Sequence, residues 1–524
     1  MDKEIILYDT TLRDGTQGEE ITLSPEDKMR IARKLDELGI QYIEGGWPGS
    51  NPKDVRFFEM ARNNTFRTAK LTAFGSTRRG QSFPEDDGNI KALLASETES
   101  VTIFGKSWDL HARDILGVSL DENLRMIEDT VSFLKKKDRE VIYDAEHFFD
   151  GFKNNSEYAL KTLKAAVHGG ADFVVLCDTN GGNMPHEVKR ILDVIRPQLE
   201  VPIGMHAHND CGLALANSLV AVQSGACMVQ GTINGYGERC GNADLLSVIG
   251  NLQIKMGYRC LEKDRIRHLT ELSRYVSEVV NVPPFNQRPF VGKSAFTHKG
   301  GVHVSAVNKN PLAYEHIDPE EVGNRRRVLV SDLSGKSNIE YKTQEMGIKL
   351  GGNGFDSRDI VNKIKVMEDK GYQFDAAEGS LELLMRKVTG QFEEPFLLES
   401  FRVIVEKNQD GPSSSQATIK ICVGDEHEIT AAEGEGPVNA LDHALRKALN
   451  NFFPEVQEMG LVDFKVRVIE GSDGTAAKVR VRIESRDSEE IWSTVGVSEN
   501  IIEASWYALA DSVQYKLLKE MKKR

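Results

Sequence analysis

From residue 3 to about 257, a short apolar run and an amphipathic stretch alternate eight times, a rhythm that few folds accept. The runs cover 5–11, 41–47, 70–75, 100–104, 141–146, 173–178, 203–208 and 229–234. They are rich in Val, Ile and Phe and mostly lack polar alternation, the mark of parallel strands covered on both faces. The stretches between them, for example 24–38, 121–136, 156–168 and 185–199, have helical periodicity, and Ser24 before Pro25 supplies a cap and a first turn. Eight strand–helix units in about 255 residues predict an α/β fold, the TIM (β/α)8 barrel. A doubly wound open sheet is the alternative, but no strand is followed by Gly-x-Gly-x-x-Gly.

Chemistry in such a barrel sits at the C-terminal ends of its strands. Six ends are loaded with polar side chains: Asp9 to Gln17 after strand 1, Glu44 on strand 2, Asp144 to His147 on strand 5, Asp178 to Asn180 on strand 6, His206 to Asp210 on strand 7, and Asn234 to Asn242 after strand 8. Any one of these is an ordinary loop start, but six in one barrel are not. His206-Ala-His208 is the most specific. Alternate residues of a strand share a face, about 7 Å apart at the Cα atoms, so two imidazoles can converge on one metal ion. The competing reading is one core histidine and one hydrogen-bonded histidine. A third ligand is expected from an Asp or Glu elsewhere.

At 524 residues the chain exceeds a single core, and two or three domains are expected. The barrel takes 1–257. Residues 258–395 read as a mostly helical connector of two small subdomains, with helices over 259–280, 356–369 and 376–389. Residues 396–524 read as an α+β domain with an internal duplication, strand-strand-helix twice, with strands at 400–406, 418–422, 464–469 and 478–484 and helices at 436–451 and 500–522. A glycine-containing turn, at 434–437 and 494–498, precedes each helix. A helix N-terminus there suits a carboxylate, such as that of an amino acid, or the glycines serve the turns alone.

The net charge of −14 disfavours non-specific binding to nucleic acid. Six scattered cysteines without a Cys-x-x-Cys pair predict reduced thiols in a cytoplasmic enzyme. A strand begins almost at once, which predicts no signal peptide, and no apolar run nears the roughly 20 residues of a membrane span.

Arg13-Asp14-Gly15-x-Gln17, Glu146, His206-x-His208 and Gly237-Glu-Arg-Cys-Gly-Asn242 together resemble the metal-dependent Claisen-condensing barrels, the family of 2-isopropylmalate, homocitrate and citramalate synthases. The resemblance covers nearly the whole chain. It includes His298-Lys-Gly-Gly-Val-His303 in the connector and a C-terminal regulatory domain of the kind that binds an end-product amino acid. Ser331 to Asn338 and Asp144 to Gly151 resemble the citramalate-forming subgroup. The resemblance implies an acyltransferase that condenses acetyl-CoA with pyruvate and water to (R)-2-methylmalate and CoA, feeding isoleucine biosynthesis. The isopropylmalate reaction, on 2-oxoisovalerate, is the alternative. Asp14, His206 and His208 would be metal ligands, with Asn242 a fourth oxygen donor directly or through water. Mg or Mn fits that set, with Zn as the alternative. Arg13 would hold the oxygen that becomes negative, and Glu146 and Thr179 would orient the keto acid. His303 and Tyr314 would act on the acetyl-CoA side from a partner subunit of a homodimer, and His298 and His303 compete for the role of base. Isoleucine is the expected effector.

The residue chemistry agrees with that resemblance. A guanidinium stays charged at any working pH and can hold a developing alkoxide. The competing role for Arg13 is a salt bridge inside the barrel, with Glu146 as the candidate partner. Phe74, Phe104 and Asp144 are the candidates for the wall that meets the alkyl group of the keto acid. Glu44 and Gln17 are candidates for hydrogen-bonding support.

Overall fold

The eight apolar runs pair in sequence order and the last closes on the first, giving an all-parallel barrel in the computed structural model, which describes residues 4–350, 356–407, 413–469 and 477–523. Its strands are β1 (Ile6–Asp9), β2 (Tyr42–Gly46), β3 (Lys70–Ser76), β4 (Ser100–Lys106), β5 (Glu140–Glu146), β6 (Phe173–Asp178), β7 (Ile203–Ala207) and β8 (Met228–Gly231). Every position of β2, β7 and β8 is buried, because helices cover the outside and side chains fill the inside. Tyr8, Tyr42, Ile142, Val175, Cys177 and Met228 form one inner cluster. Outside, the helix Pro25–Leu38 starts as its sequence predicts. The Ser24 hydroxyl accepts the Asp27 N–H, and the Asp27 carboxylate accepts the Ser24 N–H in return. Such a cap is worth about 1 kcal/mol.

Four strands stop earlier than their sequence suggests, β1 at Asp9 and β2 at Gly46 among them. β8 ends at Gly231, and Ile233–Gly235 instead form a tight turn with Asn234 at φ +64°. The Asn234 amide is drawn off the barrel by the Ser273 carbonyl at 2.9 Å and the Ser277 hydroxyl at 3.1 Å. β7 ends at Ala207, and His208 pairs only through an isolated antiparallel bridge to Asn242.

The helix expected over 259–280 begins only at Leu269 and runs to Val280, after a short 3-10 turn at Ile266–His268. Residues before it are held by competing amides. Gln41 donates to the Cys260 carbonyl, and Gln253 accepts from the Cys260 and Leu261 N–H groups. Cys260, Leu269, Val276, Val280 and Phe290 share the barrel's hydrophobic core. The compact unit built on the barrel therefore runs to Phe296 and adds Ile317–Arg325, past the edge at 257 expected from sequence.

The second unit comprises Thr297–His316 and Arg326–Arg524. It contains helices Gly301–Lys309, Lys336–Glu345, Ser357–Asp369 and Glu378–Val388. Two repeats follow. Strands Leu397–Lys407, Ser413–Val423 and Glu426–Gly434 precede helix Pro437–Leu449, and strands Gly460–Val468, Val479–Arg486 and Ile491–Ser498 precede helix Ile501–Lys523. The duplication is present, but each half is three strands and a helix, where the sequence suggested two. Glu426–Gly434 exposes five of its nine residues and buries only Thr430, so it carries little apolar signal. Gly496, read as a turn residue, lies inside a strand. A Cβ there would stand 2.1 Å from the Ala504 carbonyl, so glycine permits the close approach of helix to sheet. Among the described residues, no helix is long and apolar enough to cross a membrane.

Candidate metal centre and active site

β1 delivers two charged residues to the barrel mouth. Beyond Asp9 the chain leaves the sheet for the 3-10 turn Asp14–Gln17, tied by the Gly15 N–H to the Thr10 carbonyl at 3.0 Å. The Asp14 side chain is buried, with Oδ2 3.6 Å from His206 Nε2 and 4.0 Å from His208 Nε2. The two Nε2 atoms are 3.3 Å apart, and one ligand atom from each of the three residues lies within 4.8 Å of the others. One carboxylate oxygen and two imidazole nitrogens facing a common centre form a donor set for a divalent cation. Asn242 sits beside them. Its Nδ2 donates to Asp14 Oδ1 at 3.0 Å and to the Tyr236 carbonyl at 3.1 Å, while its Oδ1 is buried without a hydrogen bond among the described residues. An orphaned carbonyl oxygen at this spot fits a cation.

The electrostatics keep these groups in their ligand forms. Burial opposes ionisation of Asp14, but Arg13, His206 and His208 outweigh it and hold the carboxyl at about 2. Burial, helped by His206, lowers His208 to about 4, so its imidazole is neutral near pH 7. For His206 a hydrogen-bonded relay fixes the tautomer. Gln230 Nε2 donates to Asp144 Oδ1 at 2.9 Å, which leaves Gln230 Oε1 to accept from His206 Nδ1, also at 2.9 Å. The proton is then on Nδ1, and the Nε2 lone pair faces Asp14 and His208.

Arg13 is paired, but not with Glu146. Its Nε donates to Glu44 Oε1 at 2.5 Å, its Nη1 is 3.2 Å from Asp14 Oδ2, and its guanidinium lies 3.8 Å over the ring of Phe74. Burial works against the charge, but Glu44 and Asp14 raise the pKa above its ordinary value. Glu44 also accepts the Tyr8 hydroxyl at 2.6 Å, anchoring the cluster to the barrel interior. Glu146 bonds instead to Lys106, because the β4–β5 register places those two residues opposite one another.

Thr179 follows β6, and its hydroxyl accepts the His147 N–H at 2.8 Å, next to Glu146. Asp144 is buried and uses one oxygen on Gln230. Burial, with Glu44 adding, pushes its carboxyl well above the usual range. Phe74 and Phe104 stack at 5.4 Å, with Trp47 edge-on to both. Gln17, a candidate for support, is exposed at the end of its turn. Gly237 shapes the last loop. Its φ is +148° and a Cβ would meet Asn242 Nδ2 at 2.2 Å.

Two residues of this cluster escape sequence reasoning. Gln230 had a signal, as a polar side chain in the apolar stretch Met228-Val-Gln-Gly231. Lys106 lies past the expected end of strand 4 and had none.

His298, His303 and Tyr314 belong to the second unit. His303 and Tyr314 stack with centroids 4.3 Å apart, both exposed. His298 is buried, 3.0 Å from Glu315, and Glu315 is clamped by Arg326 at 2.6 and 2.5 Å.

Fold and site define a (β/α)8 enzyme with a carboxylate and bis-imidazole centre at its mouth. Residues 4–276 match the HMGL-like family, 290–372 the homocitrate synthase post-HMGL domain-like family, and 375–517 the LeuA allosteric (dimerisation) domain. The chain is 53% identical over 522 residues to the (R)-citramalate synthase of Aquifex aeolicus, covering 99% of each. It is 55% identical over 514 residues to that of Geobacter sulfurreducens, covering 98% of this chain and 97% of the relative. The 2-isopropylmalate synthase of Methanocaldococcus jannaschii is 31% identical over 523 residues, 99% of this chain and 96% of the relative. The chain belongs to the HMGL-like family of 2-isopropylmalate and homocitrate synthases, in its citramalate synthase branch.

Proposed function

We propose that the chain condenses acetyl-CoA with pyruvate and water to give (R)-2-methylmalate and CoA. The observation that carries this reading is the convergence of Asp14, His206 and His208 beside Arg13, in a chain similar to (R)-citramalate synthases along its whole length. A divalent cation held by Asp14, His206, His208 and Asn242, with Mg or Mn suiting the set and Zn the alternative, would supply Lewis-acid polarisation of a 2-oxo acid.

The protein's own groups do the rest. Arg13, fixed by Glu44 and Phe74, donates to the ketone oxygen as negative charge grows there, and losing one such donor costs roughly 3 kcal/mol of transition-state stabilisation. The Thr179 hydroxyl accepts from His147 and retains its own proton to donate to the keto acid, with Glu146 beside it. The stacked Phe74 and Phe104 leave room for a methyl group and crowd an isopropyl group, a discrimination of ~1–3 kcal/mol per methylene.

His303 removes a proton from the thioester methyl, and Tyr314, stacked on it, donates to the thioester oxygen. His298 is buried against Glu315 while His303 is exposed, which supports His303 as the base. A carbon–carbon bond forms between the acetyl methyl and the ketone carbon, and water then releases CoA. The LeuA domain supports a homodimer regulated by an end product, for which isoleucine is the candidate. The six free thiols suit the cytoplasm.

The test is CoA release from acetyl-CoA with pyruvate, 2-oxobutyrate and 2-oxoisovalerate, with and without divalent ions. Pyruvate should give the highest kcat/KM, and chelation should abolish turnover. Preference for 2-oxoisovalerate would make the isopropylmalate reaction the better reading.

A further inference from the structure

A second group of metal-ligating side chains lies outside the barrel, on the first C-terminal repeat, and the proposed chemistry does not use it. Strands Ser413–Val423 and Glu426–Gly434 form a hairpin whose turn is Gly424 and Asp425, with Gly424 at φ +61°. A turn this tight fixes the register, and Cys422 stands directly opposite His427, one pair back from the turn. Opposed residues of an antiparallel pair point to the same face, with Cβ atoms about 5 Å apart. That face is the outer one, because Ala417, Ile419 and Ile421 take the core and alternate with Thr418, Lys420 and Cys422.

The third member comes from strand Leu397–Lys407. Its pairing with the middle strand shifts between Leu398 and Ser400, so Glu399 is the extra residue of a β-bulge. A bulge re-aims a side chain. The Glu399 carboxylate reaches over the middle strand, to His427 Nδ1 with one oxygen and to the Lys420 ammonium with the other. One ligand atom each from Glu399, Cys422 and His427 lies within 4.8 Å of the others. A sulfur, an imidazole nitrogen and a carboxylate oxygen at that spacing supply three corners of a zinc-type tetrahedron and leave the fourth for water. Lys420 cancels one negative charge of the cluster, but thiolate and carboxylate together outweigh it.

The two repeats differ where this cluster lies. Strand Ile491–Ser498 of the second repeat buries four of its eight residues, and the strands of that repeat carry no Cys or His. Strand Glu426–Gly434 of the first repeat buries only Thr430. The strand with the least core is the one that carries His427, so a bridging cation there holds what burial does not.

We propose that Glu399, Cys422 and His427 bind a zinc-class divalent cation that clips the three strands of the first repeat together. On binding, the Cys422 thiol releases its proton to solvent and the sulfur bonds to the metal, and the cation takes the place of the proton between Glu399 and His427. Thiolate and imidazole select Zn(II) or Cd(II) over Mg(II) or Ca(II). The site shares no residue with the barrel cluster and does not depend on the proposed reaction.

The experiment strips the full chain of metal with a chelator, supplies Mg(II) for the barrel centre, and titrates with Cd(II). Thiolate-to-cadmium charge-transfer absorption in the ultraviolet reports bonding to sulfur, which the barrel cluster lacks. Cd(II) should bind through sulfur with a Kd of about 10 µM or tighter, and Zn(II) should displace it. Cys422→Ser should remove the band, and His427→Gln should weaken binding at least about tenfold. None of the three side chains is buried, so these changes leave the core intact. Zn(II) should also slow amide exchange in Glu426–Gly434 at least about tenfold in the wild type, and not in Cys422→Ser. A band that survives in Cys422→Ser would assign the sulfur to the exposed Cys211 or Cys240 and overturn the proposal. Binding weaker than about 10 µM, an adventitious ion only, would overturn it as well, and so would unaltered exchange in Glu426–Gly434.

Discussion

Which nitrogen of His206 holds the proton decides whether the imidazole can face a cation, and Gln230 decides the nitrogen. Replacing it by leucine keeps the approximate bulk of the side chain but removes the acceptor for Nδ1–H. Second-layer changes of this kind cost roughly 10–100-fold in metal affinity. Gln230→Leu is therefore expected to weaken Mn(II) binding by about that factor in calorimetric titration, before any substrate is present. Unchanged affinity would show that His206 needs no such guide.

Asp9 tests the interior electrostatics. Thr11 donates to it through its N–H at 2.9 Å and its hydroxyl at 2.8 Å, yet burial raises its pKa from 3.8 to about 7. The folded state thus holds this proton more tightly than the unfolded chain does. The stabilisation is complete below about pH 4 and is lost as pH rises to about 7. Asp9→Asn should gain on the wild type across that window and run parallel to it above. Melting temperatures at pH 5 and pH 8 would show it, and a constant difference would refute it.

The loop after β8 does at the level of an element what Gln230 does for one ring. Its early exit from the sheet, forced by the Asn234 amide, lets the following residues fold back so that Asn242 pairs with His208 and bonds Asp14. Gly237 makes this possible, with a positive φ and no Cβ to strike the Asn242 amide. Gly237→Ala should push Asn242 out of the cluster and lower both Mn(II) affinity and turnover by about tenfold or more, since ligand geometry must hold to about half an ångström. The barrel's melting temperature should fall less than if a β8 core residue were cut. Activity equal to wild type would mean that Asn242 is dispensable.

For the whole molecule, the proposed reaction needs groups from both units, His303 and Tyr314 as well as the barrel cluster. If the chain forms a homodimer that shares them between subunits, two inactive variants should rescue one another. Mixing Asp14→Ala with His303→Ala under conditions that exchange subunits should restore up to roughly a quarter of wild-type activity, as expected of composite sites formed at random. No recovery in verified mixed dimers would place each complete site within one chain.

The barrel was readable because its signals are local. Parallel strands buried on both faces look the same wherever they occur, and the Ser24 cap needs only its own helix. The pair His206 and His208 was readable for the same reason, since strand alternation puts them on one face. The third strand of each C-terminal repeat was not, because a half-exposed strand carries few apolar residues and Gly496 reads as a turn when its neighbour helix is unseen. The choice of Glu44 over Glu146 as the partner of Arg13 depended on the stagger of β4 against β5, which removes Glu146 to Lys106. The chain order of residues thus determined a closed sheet and the ligand types at its mouth. Only the tertiary structure decided which charges meet and which proton His206 keeps, because those depend on contacts across strands far apart in sequence.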